Sequence, residues 1–209
     1  MSEPYDKAKA LAAKAMNLAR DGILVNMRFL DTALSALELT PRRGIESFAA
    51  EGAKIYYDPV FLLKRYKEEP AFALRMYLHI LFHLIFYHSF RFDKLEQDAW
   101  SLAADMAAEA AILELKLPGT ALKRDEEAQK KLAYIKEEIH SLTAEKIYGY
   151  LRNFQVSAGE RAELGRLFFM DSHRGWIPTE ELAVSAEQWK KLSERVQADL
   201  KSFSRGKTR

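Results

Sequence analysis

The chain has 209 residues and a mass of 24.0 kDa, and its apolar content of 48% is enough to bury a sizeable core, which excludes a disordered tail. Thirty-two basic residues balance 30 acidic ones to leave a net charge of +2, so we expect neither nucleic acid nor an anionic membrane as the main partner. The chain contains no cysteine, which excludes disulfides, iron–sulfur clusters and thiol nucleophiles, and with no secretory apolar segment near Met1 this predicts a cytoplasmic protein.

The N-terminal region predicts two helices and then a small β-hairpin. Residues 5–20 are rich in strong helix formers and predict a first helix that ends at Gly22, and residues 24–37 predict a second. Residues 46–58 carry several aromatic and β-branched side chains around Gly52, which is a candidate turn position. We therefore expect a short antiparallel hairpin within residues 44–58.

The next long segment, residues 71–90, predicts an apolar central helix. Arg75 and three histidines are its only strongly polar residues. An apolar helix of this length is either a membrane span or the buried centre of a domain. Three histidines and an arginine would be costly within a bilayer, and no second span follows, so the sequence favours the buried helix.

The C-terminal half predicts further helices. Residues 93–115 form an alanine-rich helix, residues 123–138 a charged helix with a solvated face, and residues 143–151 a continuation of the helical pattern. Ser157 and Glu160 have the spacing of a capping box, in which a hydroxyl and a carboxylate each satisfy a backbone N–H. Residues 185–188 repeat this spacing and predict the start of the last helix.

Two histidines in the central helix form the strongest candidate site. His79 and His83 are four residues apart, which rotates them by only about 40° and places both imidazoles on one face, as zinc ligation from a helix requires. The alternative is a pair of buried core histidines, but each would then need partners for two ring nitrogens. His88 lies about 140° further round and is expected to face elsewhere, and His140 falls in the charged surface helix.

Four short blocks follow one another along the chain: AAEGAKIYYDP at 49–59, HILFHLIFYHSFR at 79–91, WSLAAD at 100–105 and DSHRGW at 171–176. They resemble the blocks A-T-D-G-x-x-I-Y-Y-N-P, H-E-x-x-H-x-x-x-x-H-x-x-R, W-N-I-A-A-D and D-D-H-x-x-W of a bacterial putative metallopeptidase domain. That family's domain precedes a von Willebrand factor A-like domain and is often linked to MoxR-type AAA+ ATPases. The resemblance covers essentially the whole chain, so we expect residues 1–209 to be one zincin-like domain, with the von Willebrand factor A-like domain absent.

The resemblance also implies a fold and a metal site. We expect an α+β domain that is predominantly helical, with a small antiparallel β-sheet beside the buried helix that bears the histidines. His79 and His83 become two zinc ligands, with Asp105 as the third and His173 as the alternative. Two imidazoles and one carboxylate leave a position open to water, which is typical of catalytic zinc.

One residue departs from the family at the position that matters most for catalysis. Ile80 stands where the H-E-x-x-H motif has the glutamate that takes a proton from metal-bound water, so no catalytic residue is assigned. Glu109, four residues beyond Asp105, is the candidate substitute base, although both acids are equally compatible with an ordinary salt-bridged helix face.

Three functions remain open from the sequence. We favour a degenerate zincin-like pseudoenzyme that lacks proteolysis, holds zinc and serves as a binding or regulatory module. The alternatives are an active zinc-dependent hydrolase with Glu109 as base, and a metal-free scaffold in which the histidine pair is packing only. By the family resemblance, the expected partner is a protein, for example an AAA+ ATPase system.

Overall fold

The computed structural model of the chain describes residues 3–153, 156–177 and 179–207. Within them the fold is dominated by helices and contains one small sheet, which confirms the predicted α+β class. The helices are α1 (Glu3–Asn26), α2 (Asp31–Ser35), α3 (Pro59–Glu68), α4 (Phe72–Ile85), α5 (Gln97–Leu115), α6 (Asp125–Ile139), α7 (Ala144–Asn153), α8 (Ala158–Phe168) and α9 (Glu180–Lys207). The strands are β1 (Glu38–Pro41), β2 (Phe48–Glu51), β3 (Lys54–Tyr57) and β4 (Asp171–Ser172).

The sheet contains the predicted hairpin but is not purely antiparallel. Strands β2 and β3 pair in antiparallel fashion around Gly52, whose φ of 57° suits the turn. Strands β1 and β4 join the two outer edges in parallel, giving the order β1-β3-β2-β4. The antiparallel prediction therefore holds for the hairpin of β2 and β3, whereas β1 and β4, which lie outside the predicted residues 44–58, add two parallel pairings.

The N-terminal helices also differ from the prediction. Helix α1 runs through Gly22 to Asn26 instead of ending at Gly22. At position 22 a Cβ atom would lie 3.0 Å from Leu74 Cδ1, so glycine there permits the close approach of α1 to α4. The predicted helix over residues 24–37 is broken into the end of α1, a 3-10 turn, the short helix α2 and the approach to β1.

The central helix α4 ends five residues before the predicted boundary, and this corrects the prediction for His88. Tyr87 adopts a φ of 68°, the N–H of Tyr87 donates to the carbonyl of Leu84, and the N–H of His88 donates to the carbonyl of His83. These bonds form a Schellman-type helix end. The helical rotation therefore stops before His88, and the chain folds back to place its ring against His83, with the two Nδ1 atoms 3.0 Å apart.

The last two helices begin with side-chain caps, one predicted and one missed. The capping box of Ser157 and Glu160 opens α8 as expected. Helix α9, however, begins at Glu180, where the Thr179 hydroxyl accepts a hydrogen bond from the N–H of Leu182. Ser185 lies inside that helix, so the predicted start at residues 185–188 was wrong.

Two apolar clusters make up the core, and the boundary between them runs along α4 and α5. The larger cluster contains residues of α1, α4, the sheet and α9, whereas the smaller contains residues of α5, α7 and α8 together with Trp176. Among the described residues, no helix combines the length and hydrophobicity that a membrane crossing requires. The all-round burial of α4 therefore comes from packing against the rest of the fold.

Candidate metal centre

Four side chains from three elements converge at the boundary between the two apolar clusters. His79 and His83 come from α4, Asp105 from α5 and Asp171 from β4, and one ligand atom of each lies within 4.8 Å of the others. The two Nε2 atoms are 2.8 Å apart, and they lie 3.4 and 3.1 Å from Asp105 Oδ1. Asp171 Oδ1 lies 3.5 and 3.8 Å from the same two nitrogens.

The separations and the donor set fit a divalent metal ion. Ligands that bind at about 2.0 Å in a tetrahedron stand about 3.3 Å from one another, and the separations here range from 2.8 to 3.8 Å. The Oδ1 atom of Asp105 is buried and has no hydrogen-bond partner of acceptable geometry, although three imidazole nitrogens lie within 3.4 Å of it. An orphaned buried oxygen that faces three imidazoles is an acceptor suited to a cation.

His173, the predicted alternative ligand, contacts both carboxylates. Its Nε2 lies 2.9 Å from Oδ1 of Asp105 and 2.9 Å from Oδ1 of Asp171, and its ring stacks on Trp176 at 3.7 Å between centroids. Burial alone would lower the pKa of His173, but the two carboxylates raise it to about 10. Burial would likewise raise the pKa values of Asp105 and Asp171, and the neighbouring His173 holds both below their usual range.

The surroundings of His79, His83 and His88 favour different protonation states of the three imidazoles. Burial disfavours the charged form of His79, yet Asp105, Asp171 and Glu109 together raise its pKa well above the ordinary value. Burial and the adjacent His79 lower the pKa of His83, and burial and His83 lower that of His88 well below the ordinary value. His83 and His88 are therefore held in the neutral form that can act as a ligand or hydrogen-bond partner.

Glu109 lies behind His79, on the far side of the ring from the four-residue cluster. Its Oε1 is 2.8 Å from Nδ1 of His79, and its Oε2 accepts hydrogen bonds from Arg75 and Arg124 at 2.9 and 2.8 Å. Burial would raise the pKa of Glu109, but hydrogen bonding and charge from His79, with Arg75, lower it to about 2. The acid predicted as a substitute base is thus a buried carboxylate engaged through both oxygens.

Ile80 occupies the position after His79 and is fully buried. It belongs to the larger apolar cluster together with Leu78 and Leu81. The helix face that carries Ile80 is therefore an apolar packing face.

Two cavities open next to the cluster. One of about 770 Å³ is bordered by Asp171 and His173, and residues on its wall include Phe92, Ser101, Phe169 and Arg174. The other, of about 570 Å³, is bordered by His88. The four candidate ligand side chains are themselves almost fully buried.

Asp171 is the site residue that sequence reasoning missed as a ligand. It stands two residues before His173 in the DSHRGW block, which was the available signal. Its position at the site depends on the pairing of β4 with β2, in which Asp171 lies opposite Phe48. The structure brings the sequence-predicted residues His79, His83 and Asp105 together.

Comparison with known proteins gave one match. A family model described as "Putative metallopeptidase domain" matches residues 12–201. The curated proteins and the solved structures compared with the chain gave no match.

Proposed function

The chain belongs to the putative metallopeptidase domain family, and we propose that it is a degenerate, zincin-like member that holds zinc but lacks proteolytic activity. His79, His83, Asp105 and Asp171 would hold the ion, and the domain would act as a binding or regulatory module. The observation that carries the proposal is Ile80, a fully buried apolar residue next to His79 where the H-E-x-x-H motif has its glutamate.

The missing base matters because hydrolysis needs a group that accepts a proton. Bound zinc supplies a Lewis acid and lowers the pKa of a water ligand, and a positioned base typically contributes about 10²- to 10⁴-fold to such a reaction. Asp105 and Asp171 face the imidazoles and His173, and Glu109 is engaged with His79 and two arginines. Glu109 is thus committed to other partners, and Asp105 and Asp171 would be occupied in holding the ion.

Two alternatives stay open as predictions. An active hydrolase with Glu109 as base requires that carboxylate to leave its arginine partners, and replacement by glutamine would then abolish activity. A metal-free scaffold requires the histidine pair to be satisfied by packing alone. The orphaned Oδ1 of Asp105 favours the metal-binding domain over this scaffold.

Metal content is the first test. We expect about one zinc per chain in freshly purified protein, and loss of that zinc in His83→Ala, because the variant removes one of two imidazole ligands. His140→Ala is the matched control, since His140 lies at the end of α6 and is not part of the cluster. A wild-type protein that binds no zinc under titration would refute the proposed metal function.

Peptide hydrolysis is the second test. The zinc-loaded protein is expected to leave a peptide library uncut. Turnover that disappears with a chelator and in His83→Ala would contradict the loss of proteolysis, and its disappearance in Glu109→Gln would favour the relocated base.

The wider biological setting is proposed on the family resemblance and on composition. We place the protein in the bacterial cytoplasm as a single domain, with a protein partner such as a MoxR-type AAA+ ATPase and without a nucleic-acid or membrane partner. Co-elution of the two purified proteins in size-exclusion chromatography tests this partner, and separate elution at micromolar concentrations would count against it.

A further inference from the structure

The buried carboxylate of Glu109 touches a ligand imidazole on the side that faces away from the cluster. Its Oε1 is 2.8 Å from Nδ1 of His79, while Nε2 of His79 points to His83 and Asp105. We propose that Glu109 is the positioning residue of the metal centre, which fixes the proton of His79 on Nδ1 and is itself held by Arg75 and Arg124. This inference rests on the proposed metal binding and names how that site is organised.

The chemistry of imidazole explains why this contact matters. A neutral imidazole carries its single proton on one of two nitrogens, and only the other nitrogen has a lone pair for a metal. A carboxylate that accepts a hydrogen bond from Nδ1 selects the tautomer with a free Nε2, fixes the ring orientation and makes the imidazole a stronger ligand. In this protein Nε2 is the atom of His79 that faces the cluster.

The carboxylate of Glu109 is held on its other side by two guanidinium groups. Arg75 is 1% exposed and donates to both oxygens of Glu109 from Nε and Nη2, and it also bonds Asp125 and the Thr120 carbonyl. Arg124 adds a bond of 2.8 Å to Oε2. Because these donors fix the plane of the carboxylate, Oε1 stays aimed at His79.

The second ligand imidazole has a different outer partner. Nδ1 of His83 lies 3.0 Å from Nδ1 of His88, which is another imidazole instead of a carboxylate. The two histidines are therefore supported unequally, and the anionic partner is present only behind His79 among the described residues.

This arrangement separates a positioning role from a role as base. A base must reach the substrate side of the centre, whereas Glu109 lies behind the His79 ring and both its oxygens are hydrogen-bonded. A positioning residue changes metal affinity and the ligand tautomer, and these quantities are measurable without any catalytic assay.

The first measurement is the affinity for Zn²⁺, by competition with a chromophoric chelator. Glu109→Gln is nearly isosteric and removes the charge, and we expect it to weaken zinc binding about 10- to 100-fold. Glu114→Gln is the matched control, because Glu114 lies on the same helix but is exposed, and it should leave the affinity unchanged. Arg124→Gln should weaken binding in the same direction but by less. Equal affinities for Glu109→Gln and Glu114→Gln would overturn the proposal.

The second measurement is the Nδ1 proton of His79, observed by NMR in protein labelled with ¹⁵N-histidine. We expect a downfield, slowly exchanging signal that shifts upfield in Glu109→Gln and is unchanged in Glu114→Gln. A signal that exchanges as fast as that of the surface residue His140 would refute the positioning role. This readout also exists without zinc, so a wild-type protein that binds no zinc yet shows the protected proton would refute the metal function alone. If Glu109→Gln does not fold, the Nδ1 proton signal of the wild-type protein and the zinc affinity of Arg124→Gln test the positioning role instead.

Discussion

Gly175 lies where the loop that carries the site packs on the sheet, and Gly175→Ala is expected to disturb both stability and metal binding. A Cβ atom at this position would lie 2.4 Å from the carbonyl oxygen of Ala50 and 3.3 Å from Cβ of Glu51. Real Cβ contacts are essentially never under 3.0 Å, so the loop or strand β2 must move by at least 0.6 Å, the difference between 3.0 and 2.4 Å.

The strand is the less mobile partner, because β2 pairs with β3 on one side and β4 on the other. The loop therefore moves, and with it the neighbouring His173, which contacts Asp105 and Asp171. Overpacking of this kind lowers the free energy of unfolding by about 1 to 3 kcal/mol. In a chain of this size, each kcal/mol lost lowers Tm by about 2 to 4 °C. Because His173 contacts both of the carboxylates that would hold the ion, we also expect weaker zinc binding.

Urea unfolding and zinc competition measure the two effects. Gly149→Ala is the matched control, because Gly149 lies in α7 with no atom within 4 Å of its added Cβ. We expect that control to gain up to about 1 kcal/mol from helix propensity and to keep its zinc affinity. A Gly175→Ala variant that is as stable as Gly149→Ala and binds zinc equally well would contradict the predicted overpacking.

Three further predictions concern charge, capping and linkage. Arg75→Met removes one partner of a buried ion pair and should lower the free energy of unfolding by about 3 to 5 kcal/mol in urea, whereas Lys7→Met, in an exposed pair, should leave it unchanged; equal effects of the two variants would contradict the burial of the Arg75 pair. Ser157→Ala removes the hydroxyl of the α8 capping box and should cost about 1 kcal/mol, which urea unfolding of the variant measures; an unchanged midpoint would contradict the cap. Free zinc at about 100 times its Kd should raise the free energy of unfolding of the wild-type protein by about 2.7 kcal/mol and leave that of His83→Ala unchanged. Equal increases in Tm for the two proteins would contradict ligation by His83.

Local rules in the sequence predicted the parts of the structure that depend on neighbouring residues. The spacing of His79 and His83 places both rings on one face of α4 because the helix period holds between them. The glycine at position 52 and the serine and glutamate at 157 and 160 mark a turn and a helix start through backbone conformation and hydrogen bonding.

The features that the sequence did not reveal depend on non-local contacts or unusual helix ends. His88 was misplaced because Tyr87 takes the positive φ that usually requires glycine, so no glycine marked the end of α4. Asp171 was missed as a ligand because a strand of two residues places it, and such a strand has no pattern of its own. The role of Glu109 depends on Arg75 and Arg124, which lie far apart in the chain.

The position of the ligand cluster at the boundary between the two apolar clusters has a consequence for how the protein opens. His79 and His83 belong to a helix of the larger cluster, Asp105 to the helix shared by both, and Asp171 to the segment that follows α8. A bound ion would act as a cross-link that closes the loop of α6, α7 and α8 onto the rest of the fold. Unfolding of those three helices with the ion bound would gain less chain entropy, so amide exchange in α6–α8 should be slower in the zinc-loaded protein than in the zinc-free one.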